Sequence, residues 1–258
     1  MDISASRRTP LRGLYAIADT AAIPPSQLTA SVDAALRGGA RLVQYRDKSG
    51  DTSRRLAEAG ELLELCRDHR VPLLINDDYK LCAAIGADGV HLGREDTALG
   101  YVRRELGPRA IIGASCYNAV ALAETAARHG ADYVAFGAFF PSANKPQAVR
   151  AYPRLLREAH RRTGLPVCAI GGITLDNAAE LVAAGADMLA VIGGLFSTAD
   201  KASATAAATA GQCLGIQSVA ARFERLFHAA ASPAPSTPHG GDAPLAADSE
   251  PQDAAPTR

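Results

Sequence analysis

The 258 residues carry 27 basic and 27 acidic side chains, so no net field draws the chain to nucleic acid or to an anionic membrane, and any anion site has to come from local placement. The length suits one large domain with a full core, or two small ones. No signal-like apolar stretch follows the arginines of MDISASRRTPLRG and no run of about 18 apolar residues occurs, which predicts a cytoplasmic chain with small-molecule partners. Five cysteines without a CxxC pair read as structural thiols in a reducing compartment.

Residues 1–12 read as an extension. From Gly13 onward, eight short apolar runs alternate with longer segments of helical period: GLYAIAD, ARLVQYRD, PLLIND, GVHLG, AIIGASC, DYVAFGAFF, PVCAIGG and MLAVIGG. The intervening helices include 53–69, 118–129 and 176–184, the last with Ala178, Leu181 and Val182 on one face and Gly185 as its stop. Three of them lead into the next run through one phrase, AAIGADGV, ARHGADYV and VAAGADML, and LRGGARLV is a looser fourth copy. A glycine there can take the left-handed cap conformation before a short turn. Runs buried on both faces and alternating with helices predict a parallel sheet covered by helices. Eight units over about 220 residues fit a (β/α)8 TIM barrel better than an open doubly wound sheet, and no GxGxxG follows the first run. The barrel is expected over 13–228, closed by a last helix in 200–227. The Ala/Pro-rich segment 229–258 cannot bury enough apolar surface to order itself, and reads as a disordered tail.

In such a barrel the site forms at the C-terminal ends of the strands. The second run ends in QYRDK, where Gln44, Arg46 and Lys48 alternate onto one face. Two cations and an amide there suit a polyanion such as diphosphate, although Lys48 could also reach solvent. The third and fourth runs lead into NDDY and GREDT, in which Asp77 and Asp96, with Asp78 and Glu95 nearby, offer oxygen ligands for Mg2+. Asp78 and Asp96 each precede a helical stretch and could instead be caps; the cap reading is preferred for Asp78 and the metal reading for Asp96. His91 faces the barrel or is a satisfied core histidine. Ser115 can donate a hydrogen bond at the mouth, Asn118 looks like the cap of the next helix, and Cys116 has no base at a recognisable spacing to make it a nucleophile. The glycine pairs of AIGGIT and VIGGLF sit where barrels bind phosphate through bare backbone N–H groups. A cation pair with a metal and a separate backbone nest suggest group transfer between two phosphorylated ligands, or isomerisation of one bisphosphorylated sugar.

The segments VQYRDK, LLINDDYKLCAAIGADGVHLGRED, GADYVAFGAFFPSANKP and AIGGITLDNAAELVAAGAD, taken in that order, resemble the thiamine phosphate synthase family over roughly Leu14 to Phe196. The resemblance implies a transferase that joins a hydroxymethylpyrimidine diphosphate to a thiazole phosphate with Mg2+ assistance, through a dissociative loss of diphosphate. It places pyrimidine-diphosphate contacts on Gln44, Arg46, Lys48, Asn76, Ser115 and Lys145, with Arg46, Lys48 and Lys145 acting on the leaving group, and metal ligands on Asp77 and Asp96. It places thiazole-phosphate contacts on Ser142 to Asn144 and on the backbone of Gly172, Ile192 and Gly193. Departures are visible too: Ser142 and Asn144 stand where the family reads Pro-Thr-x-Thr-Lys, Gly193 replaces a serine, and Arg94 stands where glutamine is common. Related chains on this fold act as thiazole tautomerases or have been regarded as regulators; they lack much of the cation and metal set kept here. A sensor of thiamine precursors without turnover is the alternative outside enzymology. A homo-oligomer is left open.

Overall fold

A computed structural model describes residues 11–94, 96–141, 149–197 and 206–231. The chain forms eight parallel strands, β1 (Gly13–Asp19), β2 (Leu42–Arg46), β3 (Leu73–Asn76), β4 (Gly89–Leu92), β5 (Ile111–Tyr117), β6 (Tyr133–Phe136), β7 (Val167–Ile170) and β8 (Met188–Val191), closed into one barrel in chain order. The helices between them are α1 (Pro25–Arg37), α2 (Thr52–Asp68), α3 (Tyr79–Ile85), α4 (Leu99–Leu106), α5 (Val120–Arg128), α6 (Arg154–Thr163) and α7 (Ala178–Ala183), followed by α8 (Gly193–Phe196) and α9 (Ala206–Ala231). The expected (β/α)8 TIM barrel is therefore the fold. None of the described helices is long and apolar enough to cross a membrane.

Because successive side chains on a strand point to opposite faces, each run serves two cores. Outward-facing residues such as Leu14, Val43, Ile75, Val134 and Leu189 pack under the helices. Inward-facing Tyr15, Ile17, Leu42, Leu74, Tyr133, Ala135, Cys168, Met188 and Ala190 fill the barrel, with Leu11 and Ile111 packed against them. These side chains plug the middle of the barrel.

The repeated GAD phrase has a structural cause. Gly86, Gly130 and Gly185 take φ of 70°, 91° and 101°, a region closed to most side chains. The aspartate two residues later turns back to the preceding strand. Asp88 accepts from the Leu73 N–H (2.8 Å), Asp132 from Ile112 (2.8 Å) and Asp187 from Val167 (2.9 Å). In the same three pairs the aspartate N–H donates to the carbonyl of that residue, at 2.8–3.1 Å. Each even strand from β4 is thus clipped to the strand before it at the base of the barrel. In the looser copy, Gly39 has φ 102° but Arg41 replaces the aspartate, and Glu224 on α9 supplies the missing carboxylate. Glu224 Oε1 accepts from the Leu14 N–H (2.6 Å) and Oε2 from Arg41 Nε (3.0 Å).

Several boundaries differ from the sequence expectation. The run DYVAFGAFF is strand only to Phe136, because Gly137 lies so close to β7 that a Cβ would sit 2.3 Å from the Ile170 carbonyl oxygen. Beyond it, Phe139 and Phe140 donate to the carbonyls of Ile170 and Gly171, and Ala138 exchanges two hydrogen bonds with Val149 and Ala151, pinching the base of the loop. Helix α5 starts at Val120 with Ala119 in the cap position, so Asn118 does not cap it; its amide donates to the Arg150 carbonyl instead (3.3 Å). Helix α9 continues to Ala231, past the expected edge at 228, since His228 and three alanines continue its helical sequence up to Ser232 and Pro233. The rest of the expected tail, like residues 1–10, lies outside the described residues.

Replacing Glu224 with alanine would strand a buried backbone donor and an arginine together, so a loss of about 2 kcal/mol is expected. For a domain of this size that is a fall in Tm of roughly 4–8 °C by calorimetry. Glu224→Gln, which keeps one acceptor, should lose less.

Candidate active site

The strand ends at the barrel mouth carry the polar groups. On β2, Gln44 points into the barrel and is buried, while Arg46 at the strand end is mostly covered. Arg46 is directly opposite Asp19 in the β1–β2 register, and its guanidinium donates to Asp19 Oδ2 at 2.5 Å. Asp19 is a residue that sequence reasoning passed over. The signal was present: it is the carboxylate that ends the apolar run GLYAIAD. Its second oxygen accepts from the Ala21 N–H (3.1 Å), so the group that aims Arg46 is itself fixed.

Lys48 does not share the strand face of Gln44 and Arg46, because β2 stops at Arg46. It reaches the mouth by a turn built on Asp47, whose carboxylate accepts from the Ser49 N–H (2.5 Å) and from Arg54 (2.6 Å). Burial pushes Asp47 up, but the Ser49 hydrogen bonds and the Arg54 charge outweigh it and hold the carboxyl below its ordinary range. From this turn the Lys48 ammonium forms an ion pair with Asp77. The alternative that Lys48 simply reaches solvent is true of its stem, which is largely exposed, but its ammonium is paired.

Asp77 follows β3 with φ 62°, a left-handed backbone that aspartate tolerates better than most residues. That conformation turns its carboxylate back over the strand end, where Asn76 Nδ2 donates to it at 2.6 Å. Asp78 is the N-cap of α3, accepting from the Leu81 N–H (2.9 Å), and pairs with Arg55 (2.9 Å). The cap reading of Asp78 is correct. Asp96 is not a helix cap: α4 starts three residues later behind Ala98, and Asp96 Oδ2 accepts from the Gly93 N–H. Its carboxyl faces that of Asp77. Burial raises both, yet a hydrogen bond from Asp96 and the Lys48 charge bring Asp77 below its usual range, while Asp77 drives Asp96 further up. Two carboxyls that face each other in this way favour a cation between them. Glu95 lies outside the described residues.

These groups line a polar cleft of about 350 Å³ formed by Asp47, Lys48, Ser49, Arg55, Asn76, Asp77, Asp78 and Asp96. Among the described residues no cluster of three or more His, Cys, Asp or Glu side chains could hold a metal. The donor set is two hard oxygens on adjacent loops, which fits Mg2+ completed by water and substrate phosphate and does not fit a dedicated protein cage.

Across the mouth, Gly172 after β7 has φ 62°, and a Cβ there would lie 2.4 Å from the Pro141 carbonyl oxygen. Its own carbonyl accepts from Asn177 (3.0 Å), which fixes the turn. After β8, Ile192 precedes the short helix α8 and Gly193 begins it, so the N–H groups of Gly193 and Gly194 have no partner within the helix. Gly194 abuts the Ile173 carbonyl, where a Cβ would sit 2.2 Å away. The two glycine pairs therefore form one continuous backbone surface. Ser142, Asn144 and Lys145 lie outside the described residues.

Within the barrel, His91 is a well-satisfied residue: Nδ1 lies 2.8 Å from the Tyr133 hydroxyl and Nε2 lies 2.9 Å from Ser115 Oγ. Tyr15 and Tyr133 were not anticipated as polar partners; each sits in an apolar run where only the fold reveals what its hydroxyl meets. Cys116 is buried outside the mouth, and burial pushes its thiol up to about 12, which removes it as a nucleophile at neutral pH. Arg94, on the loop after β4, stacks over the Tyr117 ring with 4.8 Å between guanidinium carbon and centroid.

The chain matches the family model described as "Thiamine monophosphate synthase" over residues 14–195. It is 53% identical over 197 residues to the thiamine-phosphate synthase of Nitrosococcus oceani, covering 76% of this chain and 91% of that one. With the thiamine-phosphate synthase of Marinobacter nauticus it shares 51% over 215 residues, covering 83% and 90%. Among solved structures, a thiamine phosphate pyrophosphorylase from Pyrococcus furiosus superposes with a TM-score of 0.72 at 30% identity, covering 86% of this chain and 98% of that one. The matched segment runs from β1 to α8 and contains every described group at the barrel mouth, and on that extent of likeness the chain belongs to the thiamine monophosphate synthase family.

Proposed function

We propose that this enzyme condenses 4-amino-2-methyl-5-(diphosphooxymethyl)pyrimidine with 4-methyl-5-(2-phosphoethyl)thiazole to give thiamine monophosphate and diphosphate, a step of thiamine biosynthesis in the cytoplasm. The observation that carries the reading is the division of the mouth. Lys48, Asn76, Asp77 and Asp96 line one polar cleft, Arg46 is held by Asp19 at the end of β2, and the glycine turns after β7 and β8 lie on the strands across from them. One side suits a metal-bound diphosphate, the other a monophosphate.

In the reaction the methylene C–O bond of the pyrimidine breaks, both electrons leave with diphosphate, and the ring's amino group stabilises the resulting cation. The thiazole nitrogen then donates its lone pair to that methylene carbon. No proton has to move, so the cations and carboxylates of the mouth can serve the reaction without general-base catalysis. Asp77 and Asp96 would hold Mg2+, whose charge offsets that of the departing diphosphate. Arg46, aimed by Asp19, meets the leaving group in a fixed orientation. Lys48, paired with Asp77 in the ligand-free site, would turn to a phosphate oxygen of the bound substrate. Gln44, Asn76 and Ser115 orient the pyrimidine diphosphate, and Lys145 meets its phosphates from the loop after β6. Ser142, Asn144 and the backbone of Gly172, Ile192 and Gly193 receive the thiazole phosphate.

Incubating the chain with both substrates and Mg2+ should yield thiamine monophosphate and diphosphate in equal amounts. A tautomerase would instead rearrange a thiazole substrate alone, and a sensor would bind both ligands without product; either result would sink the reading. Arg46→Ala should lower kcat by about 100-fold, because the lost contact strengthens as charge develops on the leaving group. An unchanged rate would remove Arg46 from that role. Asp96→Asn is expected to shift the Mg2+ concentration for half-maximal rate upward by about tenfold or more; a superimposable metal titration would leave Asp96 as a purely structural acceptor for Gly93.

A further inference from the structure

Five side chains from five strands form one unbroken line of hydrogen bonds through the barrel interior. Gln44 Nε2 on β2 donates to the Tyr15 hydroxyl on β1. The hydroxyls of Tyr15 and of Tyr133 on β6 lie 2.9 Å apart. Tyr133 meets His91 Nδ1 on β4 at 2.8 Å, and His91 Nε2 meets Ser115 Oγ on β5 at 2.9 Å. Gln44, Tyr15 and Tyr133 are buried, and the line rises to His91 and Ser115, which are partly exposed.

The barrel is shaped around this line. Gly113 on β5 stands opposite Tyr133 in register, and a Cβ there would lie 2.0 Å from the phenol carbon that bears the hydroxyl. The Tyr133 ring crosses the interior only because residue 113 has no side chain. His91 stacks on that ring, with centroids 5.6 Å apart and planes 28° apart. Tyr15 meets its edge at 84°.

The sense of the bonds follows from proton counting. Burial raises both phenols well above their ordinary value, so each keeps its single proton. Tyr15 receives from Gln44, and its own proton needs an acceptor, which Tyr133 provides. A reversed Tyr133 would leave that proton buried and unpaired, at a cost of about 1–3 kcal/mol. Where the imidazole is neutral, Tyr133 then donates to Nδ1, the ring proton lies on Nε2, and Ser115 accepts it. The Ser115 proton is left to point into the mouth.

We propose that this line is a polarised positioning relay, in which Tyr15, Tyr133 and His91 hold Ser115 as a hydrogen-bond donor to the pyrimidine diphosphate and couple that donor to Gln44 on a neighbouring wall. The identity of the acceptor rests on the function proposed above; the polarity of the line does not. Ligand binding at Gln44 and at Ser115 is thereby linked through groups that sequence reasoning left in the apolar core.

The direct test is the imidazole nitrogen spectrum of the full-length chain labelled with 15N-histidine, at about pH 8, where an ordinary imidazole is neutral. The His91 signals are identified by their loss in His91→Gln. In the unmodified, ligand-free chain His91 should show a bare Nδ1 and a protonated Nε2; a proton on Nδ1 would overturn the relay. In Gln44→Glu the ionised carboxylate can only accept, the line should reverse, and the proton should move to Nδ1. Tyr15→Phe should lower kcat by about tenfold while KM for each substrate stays within about twofold. A variant that loses thermal stability but keeps both the His91 tautomer and kcat would show packing alone and refute the proposal. Absence of thiamine monophosphate from the unmodified enzyme would refute the functional reading, whereas the wrong tautomer would refute only the relay.

Discussion

Closure of the sheet fixes everything that follows, because strand register decides which side chains reach the interior. A slip of one residue in β2 would turn Gln44 and Arg46 outward under the helices and bring Val43 and Tyr45 into the barrel. The carboxylates that accept N–H groups at the starts of β1, β3, β5 and β7, from the first or second residue of each, hold that register at the base. Stability is thus concentrated at the end of the barrel away from the mouth, leaving the mouth free to carry groups chosen for chemistry.

Those groups are tolerable because most of the charges are paired with one from a neighbouring element. Arg46 has Asp19, Lys48 has Asp77, Arg54 has Asp47, and Arg55 has Asp78. A half-buried cation without a partner would incur a large desolvation cost. The pairs also differ in how easily they yield. Asp19 is buried and tied to backbone, so Arg46 keeps its direction when a ligand arrives. Lys48 is mostly exposed, so its pair with Asp77 is screened by solvent and yields more easily.

Much of this was legible from residues alone. Eight apolar runs and the recurring GAD phrase specify the barrel, and Gln44, Arg46, Asn76, Asp77 and Asp96 stand at strand ends where polar side chains need a reason. The phrase also carried more than a turn: its aspartates are the clips, which the pattern showed without revealing the acceptor role. What the sequence could not show depends on register and reach. Asp19 is one carboxylate among 27 acidic side chains until β1 is laid against β2. Asn118 has the chemistry of a cap, yet its amide is taken by the Arg150 carbonyl across 32 positions. Tyr15, Tyr133 and His91 look apolar or ambiguous because their partners lie on strands distant in sequence, and Gly113 reads as a weak strand residue until the Tyr133 ring is placed.

Glu224 gives the fold an order of completion. The later clips join groups 15 or 20 residues apart and can form as soon as their own unit emerges from the ribosome. The first unit has an arginine in place of the aspartate, so Leu14 and Arg41 wait for a carboxylate 210 and 183 positions further on. Such a long loop closure is entropically costly and comes late. The N-terminal strand pair therefore cannot finish before the last helix has been made, and a nascent chain lacking α9 waits both for that carboxylate and for the buried Ile216, Ala220, Phe223 and Phe227.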